Sequence, residues 1–335
     1  MLKNKPLIKI SLIILFVWIL IFTSIFLYIN SQKDDENLIN ELEVERESVQ
    51  YSFVVTADMR KYGDIEEYND SKYFKGVLED ILTIDESFLF VVGDLDPVNK
   101  IDSSIKSILG EDYTWYPVVG NHELPDSGTE SYSGENIEYL RNFDLEAVNQ
   151  GPEPCSETTY SFNHRNTHFV VLNEYCNEKS DISTTGNVSD TIYSWLESDL
   201  EETNKELVFV FGHEPAFPLQ DQESERLRHV GDSLDQYPEN RDRFWDLLVE
   251  NSVIAYFCGH THNYSTLDSN GVWQIDAGHA RGIGDTGAKS TYIIVSINDN
   301  LVEYETFRIN QETFEYESSD KGRFTQINIS PLSPM

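Results

Sequence analysis

Five times along this chain a short apolar run ends in a small residue followed at once by carboxylate, amide or imidazole side chains. The turns are Ala57-Asp58-Met59-Arg60, Gly93-Asp94-Leu95-Asp96, Gly120-Asn121-His122-Glu123, Gly212-His213-Glu214-Pro215 and Gly259-His260-Thr261-His262. The runs before them, residues 52–56, 88–92, 115–119, 207–211 and 254–257, are rich in Val, Ile, Phe and Tyr and read as buried strands. Residues 169–172, 273–275 and 292–297 read the same way. Between them lie helical spacings, at Tyr73, Phe74, Val77, Leu78 and Ile81, at Ile192, Trp195, Leu196 and Leu200, and at Phe244, Leu247 and Leu248. Strands alternating with amphipathic helices call for a layered α/β body, whose sites form at the C-terminal ends of the strands.

One Asp or His at a strand end is more often a helix cap than a ligand. Five in succession are a different matter. Carboxylate, amide oxygen and imidazole make the donor set of hard or borderline divalent metals, and the glycines let the backbone turn sharply before each donor.

In their order, these motifs resemble those of the calcineurin-like metallophosphoesterases, over about residues 51–297. Tyr160-Ser161-Phe162, residues 168–172 and Trp195-Leu196 before Gly212-His213 are similar to the purple acid phosphatase members. The resemblance implies a four-layer α/β/β/α sandwich with two divalent or trivalent metal ions, Fe, Mn or Zn, at one end of its sheets. It implies that Asp94 bridges both metals, that Asp58 and His262 bind the first, and that Asn121, His213 and His260 bind the second. His122 is then the general acid or electrostatic stabiliser beside the phosphate. A pair of metals turns a shared water into hydroxide near neutral pH and aligns a phosphate ester for in-line attack. An imidazole can protonate the leaving group.

The pattern breaks at two places. Many family members carry His two residues after the first Asp, where this chain has Arg60, which has no lone pair to offer a metal. Purple acid phosphatases take Tyr three residues after the bridging Asp, and here Pro97 stands there. Three outcomes stay open: a weak first site completed by water, Asp96 or a more distant side chain, Arg60 as a phosphate clamp, or a one-metal or inactive descendant. His279 follows a strand and either lines the substrate pocket or is a hydrogen-bonded structural residue. Residues 221–243, long and charged, are expected near the mouth of the site, as a substrate-selecting segment or as a solvated loop.

The 59 acidic side chains outnumber 24 basic ones, for a formal net charge of -35. Such a surface repels nucleic acid and free phosphate alike, so a nuclease is disfavoured and phosphate chemistry would need local cations. Solubility or a salty medium is the plainer account of the acidity.

Residues 10–29 carry no charge and are mostly apolar, long enough to span a bilayer as a helix. Lys3, Lys5 and Lys9 precede them and Asp34, Asp35 and Glu36 follow, which puts the N-terminus in the cytoplasm and the large domain outside a cell membrane. A cleaved signal peptide is the rival reading, and the exit lacks its small-residue pattern. The chain thus divides into a tip and anchor (1–30), a charged stalk (31–50), the phosphoesterase-like domain (51–310) and an edge strand with tail (311–335). Its expected partners are a phosphate ester and the bilayer. In an oxidising compartment Cys155 and Cys176 are either bridged or free, and Cys258 reads as a buried thiol. The alternative to an enzyme is a catalytically silent, metal-stabilised receptor or scaffold at the membrane.

Overall fold

The computed structural model describes residues 49–59, 73–125, 134–145, 148–280 and 287–324. The expected anchor, nearly all of the stalk, and Arg60 lie outside these residues. Among the described residues no helix is long and apolar enough to cross a membrane.

Two mixed sheets form the body. The first runs in the order β13 (Tyr316–Phe324), β12 (Leu301–Ile309), β11 (Thr291–Asn298), β1 (Gln50–Thr56), β2 (Ser87–Val91), β3 (Trp115–Pro117). The second runs β4 (Asn149–Gln150), β5 (Tyr160–His164), β6 (Thr167–Val171), β7 (Leu207–Phe211), β8 (Ala255–Cys258), β10 (Val272–Ala277), β9 (Tyr264–Ser269). The strands that end in polar turns are parallel to their neighbours: β1 with β2, β2 with β3, and β7 with β8. Parallel pairing sends their C-terminal ends the same way, so all five turns emerge at one edge. Every residue of β7 is buried, as expected for a strand covered on both faces.

The sheets meet through an aromatic layer. Phe53 and Phe90 from the first face Phe169, Phe209, Phe211 and Phe257 from the second, and Phe90 stacks on Phe211 with ring centroids 3.8 Å apart. Each buried ring contributes roughly 1.5–3 kcal/mol. The outer face of the first sheet is covered by α1 (Phe74–Ile81), α2 (Val98–Leu109) and α3 (Glu135–Arg141), and that of the second by α4 (Asp190–Glu202) and α5 (Pro238–Glu250). α1 buries the apolar positions that its spacing foretold, Phe74, Val77, Leu78 and Ile81. α4 starts where the Ser189 hydroxyl accepts from Ile192 N, and α5 starts on Pro238, whose missing N–H costs nothing in a first turn. β13 is mostly exposed and charged, a composition that guards a sheet edge against further pairing.

Cys155 and Cys176 are joined, with their Cα atoms 6.1 Å apart, and Cys258 is a buried free thiol.

Candidate metal centre

Four of the six residues expected as ligands sit in left-handed backbone: Asp58 at φ 51°, Asp94 at 59°, His260 at 66° and His262 at 59°. For a non-glycine residue that conformation costs about 1–2 kcal/mol. The aromatic layer directly below the turns is large enough to hold it, and strain of this kind gathers where a fold must aim side chains at one point. Close approach adds to the constraint. A Cβ on Gly259 would stand 2.6 Å from Asp58 Oδ2 and 2.7 Å from Ala57 Cβ, so only glycine lets the last turn lie against the first.

Hydrogen bonds across the sheets then fix the donors. His213, at the end of β7, donates from Nδ1 to the Val92 carbonyl at the end of β2, at 2.8 Å. That bond leaves the Nε2 lone pair facing Asn121 Oδ1 at 3.2 Å and Asp94 Oδ1 at 3.4 Å. His260 donates its backbone N–H to Asp58 Oδ2 at 2.8 Å and its Nε2 hydrogen to the Asp232 carbonyl at 2.9 Å, which leaves the lone pair on Nδ1. His262 Nε2 is 3.3 Å from Asp58 Oδ1. That oxygen is buried and has no hydrogen-bond donor, an arrangement that water-free protein avoids unless a cation supplies the missing partner. Asp58, Asp94 and His213 bring ligand atoms within 4.8 Å of one another. The donors therefore fit a metal.

The electrostatics agree. Burial pulls the His213 imidazole down, but the Asp94 and Asp58 carboxylates outweigh it and raise its pKa, which marks a surplus of negative charge. Burial, then His213 and His229, hold His260 well below the usual range, so it is a neutral imidazole with a lone pair to give. His122 is half-buried; its N–H donates to Asp94 Oδ1 at 3.1 Å and its Nε2 is 3.8 Å from Asp94 Oδ2, beside the ligand set rather than within it.

Asp96 is buried near Glu123. His279 is buried behind His262, with ring centroids 5.8 Å apart, and its Nε2 lies 3.2 Å from the Ala288 carbonyl oxygen. His168 bridges Asn163 and Asp199, and His164 packs on Tyr51 and Phe88, both far from this chemistry.

The positioning roles of three carboxylates escaped the sequence reading. Glu123 accepts from Asp94 N, Leu95 N and Gly120 N at 3.0, 2.7 and 2.7 Å, tying two ligand turns together. Glu174, just beyond β6, accepts from His213 N at 2.9 Å and Glu214 N at 2.6 Å, and Tyr256 donates to its other oxygen. Asp276 accepts from Thr261 Oγ1 at 2.5 Å and Gly278 N at 3.1 Å, bracing the Gly-His-Thr-His turn. Glu123 and Glu174 follow strands and Asp276 lies near the end of β10, which was the available signal.

The comparisons with known proteins fit this geometry. Residues 51–264 match the model of the calcineurin-like phosphoesterases. This chain belongs to the calcineurin-like phosphoesterase family. Its similarity to tartrate-resistant acid phosphatase type 5 of Mus musculus is 23% identity over 231 residues, 65% of this chain and 60% of the mouse protein. The Oryctolagus cuniculus phosphatase of that name is 21% identical over 49% of this chain and 48% of its own length. The chain thus spans about three fifths or less of these two relatives. Among solved structures, GAP50, described as the anchor in the inner membrane complex of Plasmodium, superposes with a TM-score of 0.53 at 15% identity, over 83% of this chain and 89% of that one. PhoD does so with 0.51 at 11%, over 81% and 72%. At these identities the two structures speak for the fold alone.

Proposed function

We propose that this phosphoesterase-family protein is a metal-dependent hydrolase of phosphate esters, with two cations held by Asp58, Asp94, Asn121, His213, His260 and His262. The observation that carries the reading is Asp58 Oδ1, a buried carboxylate oxygen with no donor, 3.3 Å from His262 Nε2. Bound metals would supply an activated water and neutralise the phosphate. The chain's own residues do the rest. Asp94 is the carboxylate common to both halves of the set, Glu174 and Glu123 hold the His213 and Asp94 turns in place, and His122 stands beside the set with an imidazole that can protonate the leaving oxygen. Likeness to acid phosphatases supports a phosphate ester as substrate. A net charge of -35 speaks against nucleic acid.

In the same reading, residues 10–29 anchor the protein in a membrane with the catalytic domain outside the cytoplasm. The charges flanking that segment support it, and so does the Cys155–Cys176 bridge, since disulfides persist in oxidising compartments.

The test is hydrolysis of paired chromogenic mono- and diesters by the full chain with and without added Mn, Zn or Fe. His122→Ala should lower turnover about a hundredfold or more while metal content stays the same. Metal-independent hydrolysis, none at all, or a fully active His122→Ala variant would each defeat the proposal.

A further inference from the structure

The charged segment 221–243 is pinned to the ligand turns. The Asp221 carboxylate accepts from Glu223 N, Ser224 N and Tyr264 N, and from the buried guanidinium of Arg308. Arg226 donates from Nε to Asn263 Oδ1 and from Nη2 to the His262 carbonyl, and the Asn263 amide donates back to the Leu219 and Arg226 carbonyls. These bonds place residues 226–232 beside the turn that carries His260 and His262.

At that tip, Arg228 Nη1 lies 2.8 Å from His262 Nδ1, and its Nη2 lies 3.1 Å from His229 Nε2. His229 in turn points Nδ1 at Asp232 Oδ2, 3.2 Å away, and its ring stands 4.1 Å from that of His260. A guanidinium only donates, so both imidazole nitrogens must accept. His262 then carries its hydrogen on Nε2, which makes no hydrogen bond to Asp58 Oδ1 3.3 Å away, and His229 carries its own on Nδ1, toward Asp232. A permanent cation is thus docked on one residue of the ligand set and on the histidine stacked against another.

We propose that Arg228 is the phosphate-binding residue of this site and biases it toward dianionic phosphomonoesters. The proposal rests on the metal-holding reading of the ligand set. If His262 gives Nε2 to a cation, its hydrogen belongs on Nδ1, where it opposes a guanidinium that has only hydrogens to offer. Arg228 and a filled ligand set therefore exclude each other at that nitrogen. Turned away from that nitrogen, the guanidinium stays beside the ligand turns, because the neighbouring Arg226 holds the backbone there. The planar fork matches two phosphate oxygens at once. Its Coulomb attraction grows with the charge of the ligand, so a dianionic monoester gains more from it than a monoanionic diester.

The experiment is binding of inorganic phosphate to the Mn-loaded full chain by calorimetry, which needs no turnover. Arg228→Met and Arg228→Lys are compared with the parent after metal content and thermal midpoint are measured. Arg228→Met should bind phosphate about 10- to 100-fold more weakly at unchanged metal content, with Arg228→Lys intermediate. The KM for a monoester should rise more than that for a diester. Phosphate affinity within about twofold of the parent overturns the proposal. So does a parallel loss of metal, which would make Arg228 a support of the ligand set instead. A parent chain that takes up no metal brings down the underlying reading first, and metal analysis detects this before phosphate is added.

Discussion

Glu123 braces two of the candidate ligand turns, and its removal should open the site. The fully buried carboxylate accepts three backbone N–H groups, with Oε2 shared by Asp94 and Gly120 and Oε1 taken by Leu95. Burial, then Asp94 and Asp96, push its pKa well up, against the bonds from Gly120 and Leu95. In Glu123→Gln the amide oxygen can serve the two-donor side, but the NH2 group must face Leu95 N, and one buried N–H left without an acceptor costs about 1–3 kcal/mol. Glu123→Ala strips all three. With water entering the vacated space, the loss should be about 3–6 kcal/mol, a large part of a typical domain's 5–15 kcal/mol. Because the Asp94 and Asn121 turns are what Glu123 joins, metal affinity should also fall, by about 10- to 100-fold. Urea denaturation of metal-stripped and metal-loaded chains gives both numbers, since the stabilisation on loading reads the affinity. A Glu123→Ala variant within about 0.5 kcal/mol of the parent, with unchanged metal uptake, would refute the argument.

Two further outcomes follow from buried groups and from the bridge. Burial, then Glu174 beside it, push the Glu214 carboxyl up to about 8 from an ordinary 4.5. The folded state therefore holds that proton more tightly than the unfolded chain. The stability it contributes is full below pH 4.5 and is lost as pH rises to about 8, with a slope of at most about 1.4 kcal/mol per unit. Thermal midpoints of the metal-stripped chain should fall over that window, less steeply in Glu214→Gln, and parallel curves would contradict this. Cys155 and Cys176 are 21 residues apart, and closing a loop of that size is worth about 3 kcal/mol, so the Cys155→Ser, Cys176→Ser double variant should lose about that much in denaturant melts. Mass analysis after alkylation should find the two thiols only under reducing conditions, and free thiols without reductant would contradict the bridge.

The sequence disclosed the ends of strands better than their partners. The 207–211 run coincides with β7, and the runs at 52–56 and 88–92 fall within two residues of β1 and β2, because buried parallel strands are continuous apolar runs with sharp polar stops. Those stops are the ligand turns, so the candidate donors were legible from local chemistry. What binds them together was not. Glu174 lies 39 residues from the His213 N–H that it accepts, and Arg228 lies 34 from His262. Nothing in a charged stretch such as 221–243 tells which of its arginines folds back. α2 and α3 gave weaker signals: α2 begins straight after a proline, and α3 has only seven residues. His229 had no telling neighbours in sequence; its proximity to His260 is purely tertiary.

The most direct test of the account is metal bound per chain, measured by elemental mass spectrometry on the parent and on Asp94→Asn, alongside phosphoester hydrolysis by the same preparations. In the proposed centre, Asp94 is the carboxylate shared by the two halves of the ligand set. The account predicts about two equivalents in the parent, at least one lost in Asp94→Asn, and turnover falling with it by about a hundredfold or more. A parent that retains no metal at saturation, or an Asp94→Asn variant that keeps its full complement and its activity, would contradict it.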